Sequence, residues 1–385
     1  MTRDILEIEP LSRPATGAVT IPGSKSITNR ALILAALSEQ RCRLRGALWA
    51  DDTQVMVECL RRLGFDVSVE ADPSEESNRT IEVMGQGGRI PVTEADLDVG
   101  MSGTTARFIA ALVASGKGTY RLGGHPRICQ RPMGELFGAL RQLGAKVDGD
   151  HLPVTIRANG LRRDVPVTVS AKESSQFASA LRLVDVPVTF AESSEDLSYV
   201  EMTERMRREF SSDYAIEPDM SSASYFVAAG FVTGGQVQVA GCPARSLQVD
   251  GRFSQFLPPP PVVSRARDLG DSVMTVAICA LFGKQPVMMA EAGRLRLQEC
   301  DRIAALAAEL TKVGARVEEG TDWLKVWPAE PGTLRGAEIE TYNDHRMAMC
   351  FGVLGLKLPG VRIKNSACVK KTFPNFFDKL AELRR

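Results

Sequence analysis

Apolar and polar residues follow two periods along this chain. Positions 5–10 and 17–21 alternate singly, as half-buried strands do. A run of apolar residues from Ala31 to Leu37 then predicts a buried helix that opens near Ser26. Helical spacing returns at 54–63, stops at Gly64, and gives way to a strand at 65–69. The same succession recurs at 140–147 and 310–317, where Leu140, Leu143 and Gly144 match Leu310, Val313 and Gly314. A glycine just past the last helical residue suits a left-handed cap. Three copies of one helix–glycine–strand piece predict an α/β architecture made of repeats. Between the second and third copies the pattern erodes. Residues 206–210 end like a helix with no glycine and strand behind them, and 253–257 run into four prolines at 258–261. Prolines cannot donate to a sheet, so this part reads as shortened and irregular.

Composition narrows the function classes. The chain has 385 residues, 44% hydrophobic and 24% charged, a length that suggests two or three domains. Lys plus Arg and Asp plus Glu both number 47. With no net charge, bulk electrostatics gives no reason to expect a nucleic-acid or membrane partner. Eight cysteines without a CxxC pair and three histidines argue against a metal cluster. The cysteines lie in apolar runs and suit a reducing compartment, the cytoplasm. No leader-like or membrane-spanning run is evident at the N-terminus or elsewhere.

Local chemistry concentrates where helices are predicted to begin. Pro22-Gly23 ends a strand, and Ser24, Lys25, Ser26 and Arg30 fall at the start of the first apolar helix. Free N–H groups and the dipole at a helix start favour an anion. The spacing is not that of a Walker A loop, because Ser24 separates Gly23 from Lys25. A capped helix with solvated cations is the plainer alternative. Gly100 to Arg107 repeats the same grammar: glycines, hydroxyls, then an arginine one turn in. Arg127 and Arg131 precede a helix expected from Pro132. Ser174, Ser175 and Gln176 mark another start, and the serines at 221, 222 and 224 a fourth. In the second half, Asp271 opens an apolar helix, where a plain N-cap is one reading. Residues 294–298 alternate like a strand and lead to Glu299, Asp301 and Arg302 at a helix entry. Asn343-Asp344-His345-Arg346 starts a further helix, and Lys370 and Lys371 precede the last one.

These pieces, in this order, resemble the 5-enolpyruvylshikimate-3-phosphate synthase family. The motifs are PGSKSITNRA, SGTTARF, RPMGEL, SSQF, EPDMSSASYF, ECDR, NDHRMAM and KTFPNFF, and the likeness runs from about Ile8 to the C-terminus. The resemblance implies an α/β fold of two domains. Each is inside-out, barrel-like and built from repeated βαβαββ units, here partly shortened. Residues 1–22 and 217–385 would form one domain, carrying phosphoenolpyruvate-binding and catalytic residues. Residues 23–216 would form the other, with acceptor and phosphoenolpyruvate residues. The reaction implied is transfer of the carboxyvinyl group of phosphoenolpyruvate to the 5-hydroxyl of shikimate 3-phosphate, with no cofactor or metal, by a monomer. Carried over position by position, Lys25, Gly103, Arg131, Gln176, Arg302, Arg346 and Lys371 would hold phosphoenolpyruvate. Ser26, Arg30, Ser174, Ser175, Gln176 and Tyr199 would hold the phosphorylated acceptor, with Asp271, Arg294 and Gln298 facing it. Asp271 would take the hydroxyl proton and Glu299 would handle the proton at C3, helped by Lys25 and His345.

Four positions depart from the family pattern. Gln298 replaces a lysine, Arg294 an asparagine, Met101 an asparagine and Asp196 a serine. The segment before Asp271 lacks the usual Asn and Pro, and the chain is short around 181–217 and 256–271. Losing one charge from a buried anion site costs ~2–5 kcal/mol. Arg294 would restore the charge missing at 298 if both lay on one strand face. The departures equally suit another phosphorylated acceptor, such as a nucleotide or cyclitol, and less readily an inactive binding protein.

Overall fold

The computed structural model of the chain describes residues 4–170, 174–191 and 197–384. The chain divides into two compact units. One is continuous, Gly23–Glu217; the other is divided, Met1–Pro22 with Pro218–Arg385.

Each unit sets small sheets around buried helices. In the continuous unit one sheet runs in the order Asp213–Ala215, Arg41–Leu48, Asn78–Met84, Val67–Ala71. The first pair is parallel and the rest antiparallel. A second sheet repeats this plan with Glu94–Asp98, Lys117–Gly123, Val154–Asn159 and Lys146–Val147. In the divided unit, Val262–Ser264, Val287–Ala290, Leu324–Val326 and Val317–Glu319 do the same. A three-stranded sheet joins Ile5–Glu7, Arg362–Lys364 and Glu338–Ile339. The sheets are separate and open, so the barrel-like expectation is met only as an arrangement of repeated α/β pieces.

The three four-stranded sheets each contain one of the repeats seen in the sequence. Gly64, Gly144 and Gly314 have φ of +86°, +108° and +92°. At each, the glycine N–H donates to the carbonyl three residues back: Arg61, Arg141 and Thr311, at 2.9, 3.1 and 2.9 Å. The next N–H reaches back five residues, to Leu60, Leu140 and Leu310, at 3.1, 3.0 and 3.0 Å. This paired closure ends the helix and aims the chain into an antiparallel hairpin. Among the described residues, where the glycine is absent, so is the hairpin. The helix Ser198–Glu209 passes almost directly into Asp213–Ala215, and Val167–Val169 pairs with Val188–Phe190 in a sheet of two described strands. The 3-10 helix Val249–Phe256 runs through the prolines to Val262–Ser264, leaving Thr16–Val19 and Gln236–Val239 as a second two-stranded sheet.

Three helices form the centre of each unit. Lys25–Leu37, Gly103–Ser115 and Gln176–Leu183 pack on one another in the continuous unit. Met220–Thr233, Val273–Ala280 and His345–Gly355 do so in the divided unit. Their sequences are apolar nearly all round, which suits only a fully enclosed helix; every residue of His345–Gly355 is buried. Phe373 and Phe376, with ring centroids 5.4 Å apart, pack against Tyr225 and Phe226 at 5.6 to 5.9 Å. Among the described residues, no helix is long and apolar enough to cross a membrane.

The repeat glycines make a stability prediction. A Cβ at Gly144 meets nothing within 4 Å, whereas one at Gly314 would lie 2.4 Å from the Thr333 carbonyl oxygen. Gly144→Ala should therefore cost about 1–2 kcal/mol, the backbone term alone. Gly314→Ala should cost at least about 3 kcal/mol, because the backbone must also move. Urea unfolding of the full-length variants measures both; equal losses would contradict the difference.

Candidate active site

Most of the polar and charged residues singled out in the sequence sit at or near the beginnings of these six helices. In the continuous unit, Ser24 caps the first helix by accepting from the Ile27 N–H, and Lys25 follows at once. Lys25 Nζ lies 3.2 Å from Asp52 Oδ2. The Asp52 carbonyl in turn accepts from Thr105 Oγ1 at 3.3 Å, on the helix that Ser102 caps. Asp52 thus links two helix starts. At the second, a Cβ on Gly103 would lie 2.7 Å from Arg131 Nη1 and 2.8 Å from Arg107 Nη1. Two guanidinia therefore close on the Gly103 backbone, and a side chain there would have to push them aside. Arg107 Nη1 donates to Gln176 Oε1 at 2.7 Å, and Nη2 to the Pro132 carbonyl at 3.2 Å. Arg107 so orients both Gln176 and the segment bearing Arg131. Arg131 Nε is buried with no hydrogen-bond partner. Ser174 Oγ accepts from the Gln176 N–H at 3.2 Å, and Ser175 is buried at the same helix start.

Arg30 stands on the first helix, as read, and is enclosed there. It is 1% exposed, and Nε donates to Thr203 Oγ1 at 2.7 Å. Its other nitrogens donate to the Ser26 carbonyl, Ser179 Oγ and the Tyr199 carbonyl at 2.9, 3.2 and 3.1 Å. Phe108 and Tyr199 rings flank the guanidinium, and burial lowers its pKa to about 10. These bonds tie Arg30 to three helices. Tyr199 serves the same tie through its carbonyl, as does the Ser26 carbonyl.

The divided unit holds a denser cluster. Asp271 does not cap the next helix; Ser272 stands at the cap of Val273–Ala280, and the Asp271 carboxylate turns elsewhere. Its Oδ2 lies 3.1 Å from Arg346 and 3.9 Å from Arg302, and its Oδ1 lies 3.4 Å from Arg265. Burial would raise its pKa, but the Arg346, Arg302 and Arg265 guanidinia outweigh it and hold the carboxyl well below the usual range. Glu299 bridges two cations: Oε1 is 2.8 Å from Lys371 Nζ and Oε2 is 2.8 Å from Arg302 Nη2. Arg302, 1% exposed, also donates to Asp344 at 2.7 and 3.2 Å. Burial opposes its charge, yet Asp344, Glu299 and Asp271 together raise its pKa above the ordinary value. Arg346 reaches Ser221 Oγ at 3.1 Å and the Tyr225 hydroxyl at 3.4 Å, on the helix Met220–Thr233. Three helix starts thereby meet around Asp271 and Arg346. His345 is buried, with Nδ1 3.6 Å from Asp344 Oδ1.

The comparisons with known proteins bear on this geometry. A family model described as EPSP synthase (3-phosphoshikimate 1-carboxyvinyltransferase) matches residues 11–212, 181–257 and 261–380. The chain belongs to the EPSP synthase family. Relatives named 3-phosphoshikimate 1-carboxyvinyltransferase include one from Nostoc punctiforme, 37% identical with 99% of each chain covered. Another, from Opitutus terrae, is 40% identical, with 99% of this chain and 98% of that one covered. The alignment with the Nostoc relative runs over 431 positions against 385 residues here, so that relative has segments this chain lacks. The two sheets without a hairpin suit such a difference. An EPSP synthase structure from Acinetobacter baumannii shares the fold, with a TM-score of 0.76 at 21% identity over 98% of both chains.

Several expectations for this EPSP synthase family member change in detail. Residues Gly293–Leu297 form a 3-10 helix, not a strand, so 294 and 298 share no strand face. Arg296 drives this turn, reaching Asp301 at 2.7 Å, Glu319 at 2.7 Å and the Gly320 carbonyl at 2.7 Å. Half-buried Arg294 lies on that turn. Gln298 turns its Oε1 inward, where it accepts from Arg302 Nη1. The helix expected from Pro132 starts at Gly134, leaving Arg131 in the preceding link. The helix at 220 is capped by Asp219, and Ser221 and Ser222 lie inside its first turn. Asp196 lies outside the described residues. Sequence reasoning passed over Asp344, Asp52 and Arg107 as site residues, although each stands within a motif or a predicted cap. Asp250 and Arg265 carried no local signal at all.

Acid stability tests the charge cluster. The Asp271 carboxyl is held below the unfolded value of about 3.9. Its ionisation therefore stabilises the fold above about pH 4 and is lost as pH falls below that. Asp271→Asn should destabilise the protein by roughly 3 kcal/mol at pH 6, leaving guanidinia uncompensated. It should also lessen the loss of stability between pH 4 and pH 2, by up to ~1.4 kcal/mol per pH unit. Chemical unfolding at several pH values reads both effects; an unchanged acid slope would count against the assignment.

Proposed function

We propose that this protein transfers the carboxyvinyl group of phosphoenolpyruvate to the 5-hydroxyl of shikimate 3-phosphate and releases phosphate. The observation that carries this reading is the pairing of two carboxylates with several cations at one set of helix starts. Asp271 and Glu299 each face two or more cationic groups, among them Arg302, Arg346 and Lys371. Such a set can receive a doubly anionic enol ester and still offer a proton acceptor and a proton donor. The relatives' names supply the acceptor, and no comparison favours a nucleotide or a cyclitol in its place.

In this scheme the acceptor oxygen bonds to C2 of phosphoenolpyruvate as its proton passes to Asp271. C3 gains a proton, giving a tetrahedral intermediate. The C2–O bond to phosphate then breaks, and C3 loses a proton to restore the double bond. Glu299 handles the C3 proton, with Lys25 assisting. Lys371, Arg346 and Arg302 attract the substrate's anionic groups, and their withdrawal from Asp271 and Glu299 makes both carboxylates more basic. Gly103, Arg131 and Gln176 offer a second anion-binding group, oriented by Arg107. Ser26, Ser174 and Ser175 supply hydroxyls toward the phosphorylated acceptor, and Arg30 and Tyr199 hold it with them. His345 packs under the cluster. The family resemblance suits a monomer, and eight free thiols suit the cytoplasm.

Phosphate release from phosphoenolpyruvate with shikimate 3-phosphate tests the proposal. Turnover at ordinary enzyme rates is expected. Silence with phosphoenolpyruvate still bound by calorimetry would point to another acceptor, and no binding would overturn the reading. Glu299→Gln should lower kcat by about 10²–10⁴-fold while phosphoenolpyruvate affinity stays within about threefold. A loss of affinity at unchanged kcat would contradict the proton-handling role.

A further inference from the structure

The cations around Asp271 are of unequal origin. Arg346 stands in the first turn of His345–Gly355, and Arg302 begins the helix Arg302–Lys312. Arg265 instead follows the strand Val262–Ser264, in the segment where the sequence departs from its family. Its N–H donates to the Ala290 carbonyl at 2.9 Å and extends the parallel ladder by one residue. The loop beyond is pinned to Ser264. The Ser264 N–H donates to Asp268 Oδ2 at 2.8 Å, and Ser264 Oγ accepts from the 266 and 267 N–H groups at 3.2 and 3.0 Å. The Asp268 and Leu269 N–H groups return to the Ser264 carbonyl at 3.0 and 3.2 Å. A residue just past the carboxyl end of a parallel strand is well placed to face a ligand. The Arg265 side chain is 5% exposed and meets Oδ1 of Asp271, whereas Arg346 and Arg302 meet Oδ2. Behind Asp271, Asp250 accepts from the Gly270 and Ser272 N–H groups at 2.9 and 3.0 Å and fixes the backbone on either side.

We propose that Arg265 is a positioning residue that holds Oδ1 of Asp271 throughout turnover and sets the basicity of that carboxylate. The inference rests on the base role given to Asp271 above. An anionic substrate competes with Asp271 for Arg346 and Arg302. Arg265 is anchored by a sheet edge and a closed loop, so it keeps its contact when the other two are drawn away. The charged groups acting on Asp271 are then Arg346, Arg302 and Arg265 on one side of the balance, and Glu299 and Asp250 on the other. Neutralising Arg265 removes the cation that the substrate does not engage, and Asp271 takes up a proton at higher pH.

The test compares Arg265→Gln with Arg265→Lys in the full chain. For Arg265→Gln, the acid limb of the kcat–pH profile should move up by about one unit. The KM for phosphoenolpyruvate should stay within threefold. Arg265→Lys, which keeps the charge, should restore the limb to near its original place. The carboxylate ¹³C resonance of Asp271, assigned against Asp271→Asn, is followed over the same pH range and needs no turnover. It should titrate higher in Arg265→Gln even if the acceptor proposed above proves wrong, which separates the two claims. An unchanged Asp271 titration in Arg265→Gln, or an equal shift in Arg265→Lys, would overturn the proposal. Should the glutamine variant not fold, Arg265→Met keeps the buried stem without the charge and is read in the same way.

Discussion

The divided unit depends on keeping one guanidinium charged in its interior. Removing an arginine from water costs several kcal/mol, and only close, well-aligned carboxylates offset that. Arg302 has Asp344 on two nitrogens and Glu299 on one, with Asp271 slightly farther away. Asp344 meets this need while its carboxylate also caps the helix it precedes, accepting from the Arg346 N–H at 2.9 Å. One carboxylate thereby orients both arginines. The cluster is close to electrically balanced: four cations, Arg265, Arg302, Arg346 and Lys371, face the carboxylates of Asp271, Glu299 and Asp344, with Asp250 behind. That balance lets the unit fold without a ligand, and it means that an arriving anion perturbs every member at once.

The continuous unit solves a related problem with fewer charges. Arg107 and Arg30 occupy equivalent-looking positions, each one turn into a buried helix behind a hydroxyl-bearing cap. Their surroundings separate them. Arg30 is surrounded by Thr203, Ser179 and two carbonyls, which take four of its five N–H directions. Arg107 instead holds Gln176 and the Pro132 carbonyl, groups adjoining Gly103 and Arg131.

Much of this was legible in the sequence because it is local. Helix–glycine–strand junctions announce themselves within eight residues, and all three found by pattern end their helices by the same pair of hydrogen bonds. Motif residues such as Lys25, Gly103, Glu299, Arg302 and Arg346 stand at helix starts as read. The failures share a cause. The alternation at 294–298 misled because Arg296 is turned by partners at 301, 319 and 320, which no window of sequence reveals. The partners of Arg30 at 179, 199 and 203 come from two other helices, which no local window shows. Arg265 and Asp250 lie in stretches without any motif, and only the return of the chain brings them to Asp271.

The division of the chain into a continuous piece and a split one has a consequence for its synthesis. The continuous unit is complete once residue 217 has left the ribosome. The strand Ile5–Glu7, made first, must wait for Arg362–Lys364 before it can pair, since Ile5 lies opposite Lys364. During translation Ile5–Glu7 therefore remains without this sheet neighbour until residues 362–364 emerge. The unit holding Asp271, Glu299 and Arg302 is the later of the two to be finished, and a chain stopped short of 362 would carry an intact continuous unit and an unclosed divided one.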